Sequence, residues 1–212
     1  MKILAHRGLW TRPEEKNTLS SLTKALEKGF GIETDFRDYK ERLVISHNVA
    51  SPFSPSAEDF FRWYSETKRT EFLALNVKAD GIQFLMKPLL LKYGITNYAL
   101  FDSSVPEMVV NRAESLAFLS RRSDIEPEPV LYSSAIGVWM DSFFDESWLT
   151  LDKIRYFLKD GKKVVLVSSD LHGKPYESLW GKINQRDLIN ISDFMLCTDH
   201  PLEAKEYFYG KN

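Results

Sequence analysis

Apolar positions in this 212-residue chain fall into short runs rich in β-branched and aromatic residues, separated by stretches with helical spacing. Eight runs read as strands: residues 2–6, 31–37, 72–78, 98–102, 115–120, 136–141, 163–169 and 194–199. Between them the spacing predicts helices. Thr18 caps a helix over 19–28, with Leu19, Leu22, Ala25 and Leu26 on one face and Gly29 ending it. Ser56 caps 57–66, Asp80-Gly81 precede 82–93 with Gly94 as the stop, and Thr150 caps 151–159 before Gly161. Helices over 176–187 and 202–209 complete the pattern, with Pro201 just before the last, in keeping with proline's preference for helix starts. Residues 48–56 and 121–134 read as loops.

Strand–helix alternation repeated eight times implies a parallel sheet, and in a chain of this length the expected fold is α/β, a (β/α)8 barrel forming one domain over residues 1–212. A doubly wound open sheet is the competing solution. No Gly-rich dinucleotide fingerprint follows the first strand, which disfavours it. Hydrophobic residues make up 43% and charged residues 27%, enough for a sizeable core. With 28 basic and 30 acidic residues the formal net charge is -2, so no bulk field draws nucleic acid. No run approaches the ~18 apolar residues that span a bilayer. The first residues do not form a signal peptide. These features lead us to expect a soluble, cytoplasmic protein without stable membrane insertion; they give no signal of oligomeric state. The single cysteine, Cys197, excludes an intramolecular disulfide and a multi-cysteine metal site, and its apolar neighbours predict a buried thiol.

In such a barrel the reactive groups gather where strands end and loops begin. Four strand ends carry polar residues: His6-Arg7-Gly8, Glu33-Thr34-Asp35, Asn76-Val77-Lys78 and Trp139-Met140-Asp141. Residues two apart on a strand share a face, so Glu33 lies beside Asp35 and Asn76 beside Lys78. Two carboxylates facing a barrel mouth are costly unless paired or bound to a metal. Oxygen ligands suit a hard cation such as Mg²⁺ or Ca²⁺ better than Zn²⁺. The run 43–46 predicts a hairpin-like excursion that returns His47 toward the mouth. Two histidines with ordinary pKa values near ~6.5 can divide acid and base roles. Trp139 and Asp141 are expected to line a substrate pocket. Arg121, Arg122, Glu126, Glu128, His172 and His200 read as solvated loop residues, and Trp63, Trp148 and Trp180 as packing. Trp10 stands out for its closeness to the His-Arg-Gly turn.

The set Ala5-His6-Arg7-Gly8, Asn17-Thr18, Ile32-Glu33-Thr34-Asp35 and Ser46-His47 resembles the signature of the glycerophosphodiester phosphodiesterases, of the phospholipase C-like phosphodiesterase superfamily. The resemblance is strongest over the first ~80 residues. It implies a hydrolase of lipid metabolism that takes a small phosphodiester and cleaves it to glycerol phosphate and an alcohol. In it His6 and His47 are the acid–base pair, Glu33, Asp35 and Asn76 hold a divalent metal (Mg²⁺ or Ca²⁺, with Mn²⁺ a further candidate), and Arg7 and Lys78 hold phosphate oxygens. Members usually carry a third carboxylate where Asn76 stands and an aspartate where Asn48 stands. The Glu-Asn-Thr element is shifted, reading Glu14-Glu15-Lys16-Asn17-Thr18. The loss of one carboxylate implies weaker metal binding. The alternatives are a lipid phosphodiesterase like phospholipase C or sphingomyelinase D, and a non-catalytic barrel that binds a phosphorylated ligand.

Overall fold

The computed structural model describes residues 1–210. Strands and helices alternate in the order of a (β/α)8 barrel, in two compact units: residues 6–118, and residues 1–5 together with those from 119 onward.

In the first unit the elements after β1 (Lys2–His6) are α1 (Leu19–Glu27), β2 (Gly31–Tyr39), β3 (Arg42–Ile45), α2 (Ala57–Glu66), β4 (Leu73–Val77), α3 (Gln83–Lys92), β5 (Tyr98–Phe101) and α4 (Val105–Ala113). β2, β4 and β5 are parallel, with Asp35 level with Asn76 and Asn76 level with Phe101. β3 folds back antiparallel on β2, Ile45 opposite Phe36, which is the excursion expected before His47. Helix starts follow the sequence: Thr18, Ser56 and Ser104 each accept a backbone N–H three residues on. Such a cap contributes about 1 kcal/mol. The apolar faces of α1 and α2 bury Leu22, Leu26, Phe60 and Phe61, and Phe36 of β2 stacks on Phe61 at 5.6 Å.

In the second unit β6 (Leu119–Arg122), β7 (Gly137–Met140), β8 (Lys163–Val167) and β9 (Phe194–Thr198) run parallel, and residues 2–5 of β1 pair with β9. α5 (Leu151–Lys159), α6 (Glu177–Ile183), α7 (Arg186–Ile189) and α8 (Pro201–Tyr209) accompany them. Val138, Val164, Leu166, Trp180 and Leu196 are buried, as is Cys197.

Four expectations need correction. The fifth predicted strand lies at Leu119–Arg122 rather than 115–120. Arg121 and Arg122 are therefore strand residues: Arg121 makes a two-point pair with Glu126 (2.8 and 2.8 Å), and Arg122 stacks over Trp148 at 4.4 Å. Neither Arg121 nor Glu126 is simply solvated. The helix over 176–187 is two helices, α6 and α7, parted at Asn184-Gln185. α4 was not expected. It shows only Met108 and Asn111 to the interior, so its apolar stripe is too narrow to read, although Ser104 and Pro106 marked its start.

Candidate active site

The turn after β1 is set by backbone constraints. Arg7 adopts φ 57 and Gly8 φ 92. A Cβ on Gly8 would sit 2.5 Å from the Ser21 carbonyl carbon, so only glycine lets α1 approach this closely. The Arg7 N–H donates to Glu33 O (2.9 Å), and Arg7 O accepts from the Asn17 N–H (2.9 Å). This fixes the guanidinium beside Asp35, with Nε 2.9 Å from Oδ2.

Asp35 is fully buried and is the hub of the cluster. Besides Arg7, it meets Lys78 Nζ at 3.5 Å and accepts from Asn17 Nδ2 at 2.7 Å. Asn17, itself in the left-handed region (φ 61), accepts through Oδ1 from the Thr34 hydroxyl at 2.8 Å. Glu33, on the same face of β2, lies 3.8 Å from His6 Nε2 and accepts from Asn76 Nδ2 at 3.2 Å. Asn76 Nδ2 also donates to Asp102 Oδ2 (3.1 Å), and Lys78 Nζ is 3.7 Å from the same oxygen.

Burial, and next the neighbouring Asp35 carboxylate, push Glu33 well above the usual carboxylate range. Arg7, Lys78 and the Asn76 amide pull the other way and do not offset it. Three buried oxygens here have no hydrogen-bond partner: Glu33 Oε2, Asp35 Oδ1 and Asn76 Oδ1. Buried acceptors without a hydrogen bond, two of them on carboxylates and one of these facing Lys78 Nζ at 3.5 Å, fit a hard divalent cation. Among the described residues no three His, Cys, Asp or Glu side chains form a metal-holding group, so the fit rests on two carboxylates and one amide carbonyl.

His47 lies on the exposed loop after β3. The Ser46 N–H donates to Asp35 O (2.9 Å), which ties that loop to β2, and His47 Nδ1 is 3.0 Å from Asn48 Oδ1. His47 lines a cleft of about 420 Å³ together with Arg7 and Asn17, with Pro13, Phe53 and Pro55 at its sides. Trp10 donates its indole N–H to His6 O (3.1 Å) and carries Lys16 Nζ over its ring at 4.2 Å, so it braces the turn.

The sequence-predicted residues His6, Arg7, Glu33, Asp35, Asn76 and Lys78 thus form one linked cluster, and His47 shares the Arg7 cleft. Trp139 and Asp141 belong to the other unit. Trp139 is buried in β7, and Asp141 contacts His172 Nε2 at 2.6 Å, so His172 is a partnered residue rather than a loose loop histidine. Asn17 and Asp102 were not named as site residues. Asn17 stood beside the cap Thr18, and Asp102 ended the fourth predicted strand, where a polar residue was the available signal.

No family model matches the sequence, and no curated protein matches it. Solved structures do. A protein of Galdieria sulphuraria assigned to the glycerophosphodiester phosphodiesterases superposes with a TM-score of 0.71 at 18% identity, covering 98% of this chain and 97% of that one. The glycerophosphodiester phosphodiesterase of Agrobacterium tumefaciens str. C58 gives 0.69 at 16%, covering 98% of each chain. A phosphodiesterase of Oleispira antarctica, solved with the product sn-glycerol-3-phosphate, gives 0.66 at 16%, covering 98% and 96%. This chain has the fold of the glycerophosphodiester phosphodiesterases. That fold is the (β/α)8 barrel expected from the strand–helix alternation.

Proposed function

We propose that this chain is a phosphoric diester hydrolase that cleaves a glycerophosphodiester, or a related small phosphodiester, to glycerol phosphate and an alcohol. One observation carries the reading: two cations, Arg7 and Lys78, converge on buried Asp35 beside a second buried carboxylate, Glu33, within reach of His6. The product bound in the Oleispira antarctica structure is of the same chemical class.

In this reading Arg7 and Lys78 hold the phosphoryl oxygens and offset the charge that builds on them in the transition state. Asp35 keeps both cations aimed, and Asn17 keeps Asp35 aimed. His6 and His47 move the protons. One takes the proton of the attacking hydroxyl, a neighbouring group of the substrate, and the other gives a proton to the departing alcohol oxygen. Hydrolysis of the resulting cyclic phosphate would use the same pair in reverse. Glu33, Asp35 and Asn76 would hold a divalent cation, Mg²⁺ or Ca²⁺ with Mn²⁺ a further candidate, which when bound lowers the pKa of a coordinated hydroxyl. Among the described residues no helix is long and apolar enough to cross a membrane.

The test is release of glycerol phosphate from glycerophosphocholine and glycerophosphoinositol with Mg²⁺, Ca²⁺, Mn²⁺ or EDTA, beside His6→Ala. We expect metal-stimulated turnover that falls by at least about 10²-fold in the variant, the usual minimum for loss of an acid–base group. Absence of turnover with every metal, from folded protein, would refute the assignment.

A further inference from the structure

Asn76 is an ambiguous residue for a cation site, because its amide offers an oxygen in one orientation and hydrogens in the other. Its surroundings remove the ambiguity. Nδ2 faces Glu33 Oε1 at 3.2 Å and Asp102 Oδ2 at 3.1 Å. The amide donates to both acids, so both of its hydrogens are spent on them. The carbonyl Oδ1 is left buried and without a partner, on a residue only 5% exposed.

The charges around this point also need Asp102. Arg7 and Lys78 stand against Glu33 and Asp35, two positive groups against at most two negative. A site with that balance has no net attraction for a divalent cation. Asp102 adds a further acid, 3.7 Å from Lys78, and draws on a cation that otherwise faces Asp35 and Glu33. The residue reaches this place from a left-handed backbone conformation (φ 58) directly after β5, a conformation that a non-glycine residue adopts only at a cost.

We infer that Asp102 is a positioning residue for the cation site: it turns the Asn76 carbonyl toward the site and supplies the negative charge that makes the site attract a divalent cation. Asp102 is not itself placed as a ligand. The inference rests on the metal-assisted reading above, and it concerns cation affinity rather than turnover.

The experiment is calorimetric titration of the whole protein with Ca²⁺ and with Mn²⁺. The proteins compared are wild type, Asp102→Asn, Asp102→Ser and the double variant Asn76→Asp/Asp102→Asn, each checked for folding by circular dichroism. Asp102→Asn and Asp102→Ser should each weaken binding by at least about tenfold, since oxygen-ligand sites are tuned by their charge count. The double variant returns the charge one strand away, on a side chain that presents oxygens in any orientation. It should recover affinity to within about threefold of wild type. A strut that only supports the backbone would lower the melting temperature in the single variants and leave cation affinity alone. Unchanged affinity in the folded single variants overturns the inference, and so does a double variant as weak as Asp102→Asn. If wild type binds neither ion the inference also fails, and turnover persisting in EDTA would then leave the phosphodiesterase assignment standing.

Discussion

The two compact units treat a partly or fully buried carboxylate in opposite ways. In the first, Glu33 is enclosed with an orphan oxygen, and burial beside Asp35 raises its pKa well above the ordinary range. In the second, burial also pushes Asp124 upward. Three backbone N–H groups, from Phe143, Phe144 and Asp145 at 2.9, 2.8 and 3.0 Å, outweigh that push and hold it at about 2. The same chemical group is satisfied where it ties a loop and left without a hydrogen bond at one oxygen in the cluster around Asp35. Folding alone would select the first arrangement everywhere, because an unsatisfied buried acceptor costs stability. The exception is the cluster to which we assign the proposed reaction.

The sharpest way to break this contrast is Asp35→Asn. Asp35 lies in the same buried cluster as Glu33 but is paired with Arg7, Lys78 and Asn17. Removing its charge leaves two cations without their shared counter-ion. Breaking a buried pair typically costs about 3–5 kcal/mol. We expect a loss of that order in chemical denaturation, together with loss of turnover. A stability change below 1 kcal/mol, on the order of an exposed pair, would mean that Arg7 and Lys78 do not depend on Asp35.

Glu33→Gln should act in the opposite direction on stability. In the unfolded chain Glu33 loses its proton near 4.5, whereas in the native protein it keeps it to higher pH. The native state then binds more protons than the unfolded one, so its stability falls as pH rises above the unfolded value. A neutral glutamine escapes this penalty. Without added metal the variant should be the more stable protein at neutral pH, by about 1–3 kcal/mol, with the gap closing below pH 4.5. Turnover and cation binding should be lost. A variant less stable than wild type at neutral pH would show that Glu33 is already compensated in the free protein.

The contrast was only half legible in the sequence. Glu33-Thr34-Asp35 showed both acids on one face because strand periodicity is a local property. The Thr18, Ser56 and Thr150 caps were legible for the same reason, since each is satisfied within three residues. Which acid would be satisfied was not legible. Asn17 reaches Asp35 across 18 positions and Asp102 reaches Asn76 across 26, and no local pattern records either contact. Asp124 was hidden in a stretch that read as an irregular loop, because its partners are backbone N–H groups that any sequence possesses. Arg121 and Arg122 looked solvated for a related reason: they become strand residues only through pairing with β7, which a polar Ser-Arg-Arg run does not advertise.

The mildest test concerns Asp124 itself. Its pKa in the folded protein, about 2, lies below the ordinary 3.8, so the stability it contributes is fully present above pH 3.8 and lost as pH falls toward 2. Asp124→Asn keeps one acceptor oxygen for the 143–145 turn but gives up the charge that three N–H groups converge on. The variant should therefore melt at a lower temperature than wild type at pH 5–7, and the two melting temperatures should converge between pH 4 and pH 2. Turnover should be unaffected at neutral pH, because Asp124 has no part in the cluster around Asp35. Melting curves that stay parallel down to pH 2 would show that the three N–H groups gain nothing from a charged acceptor. The difference between the two units would then lie in burial alone.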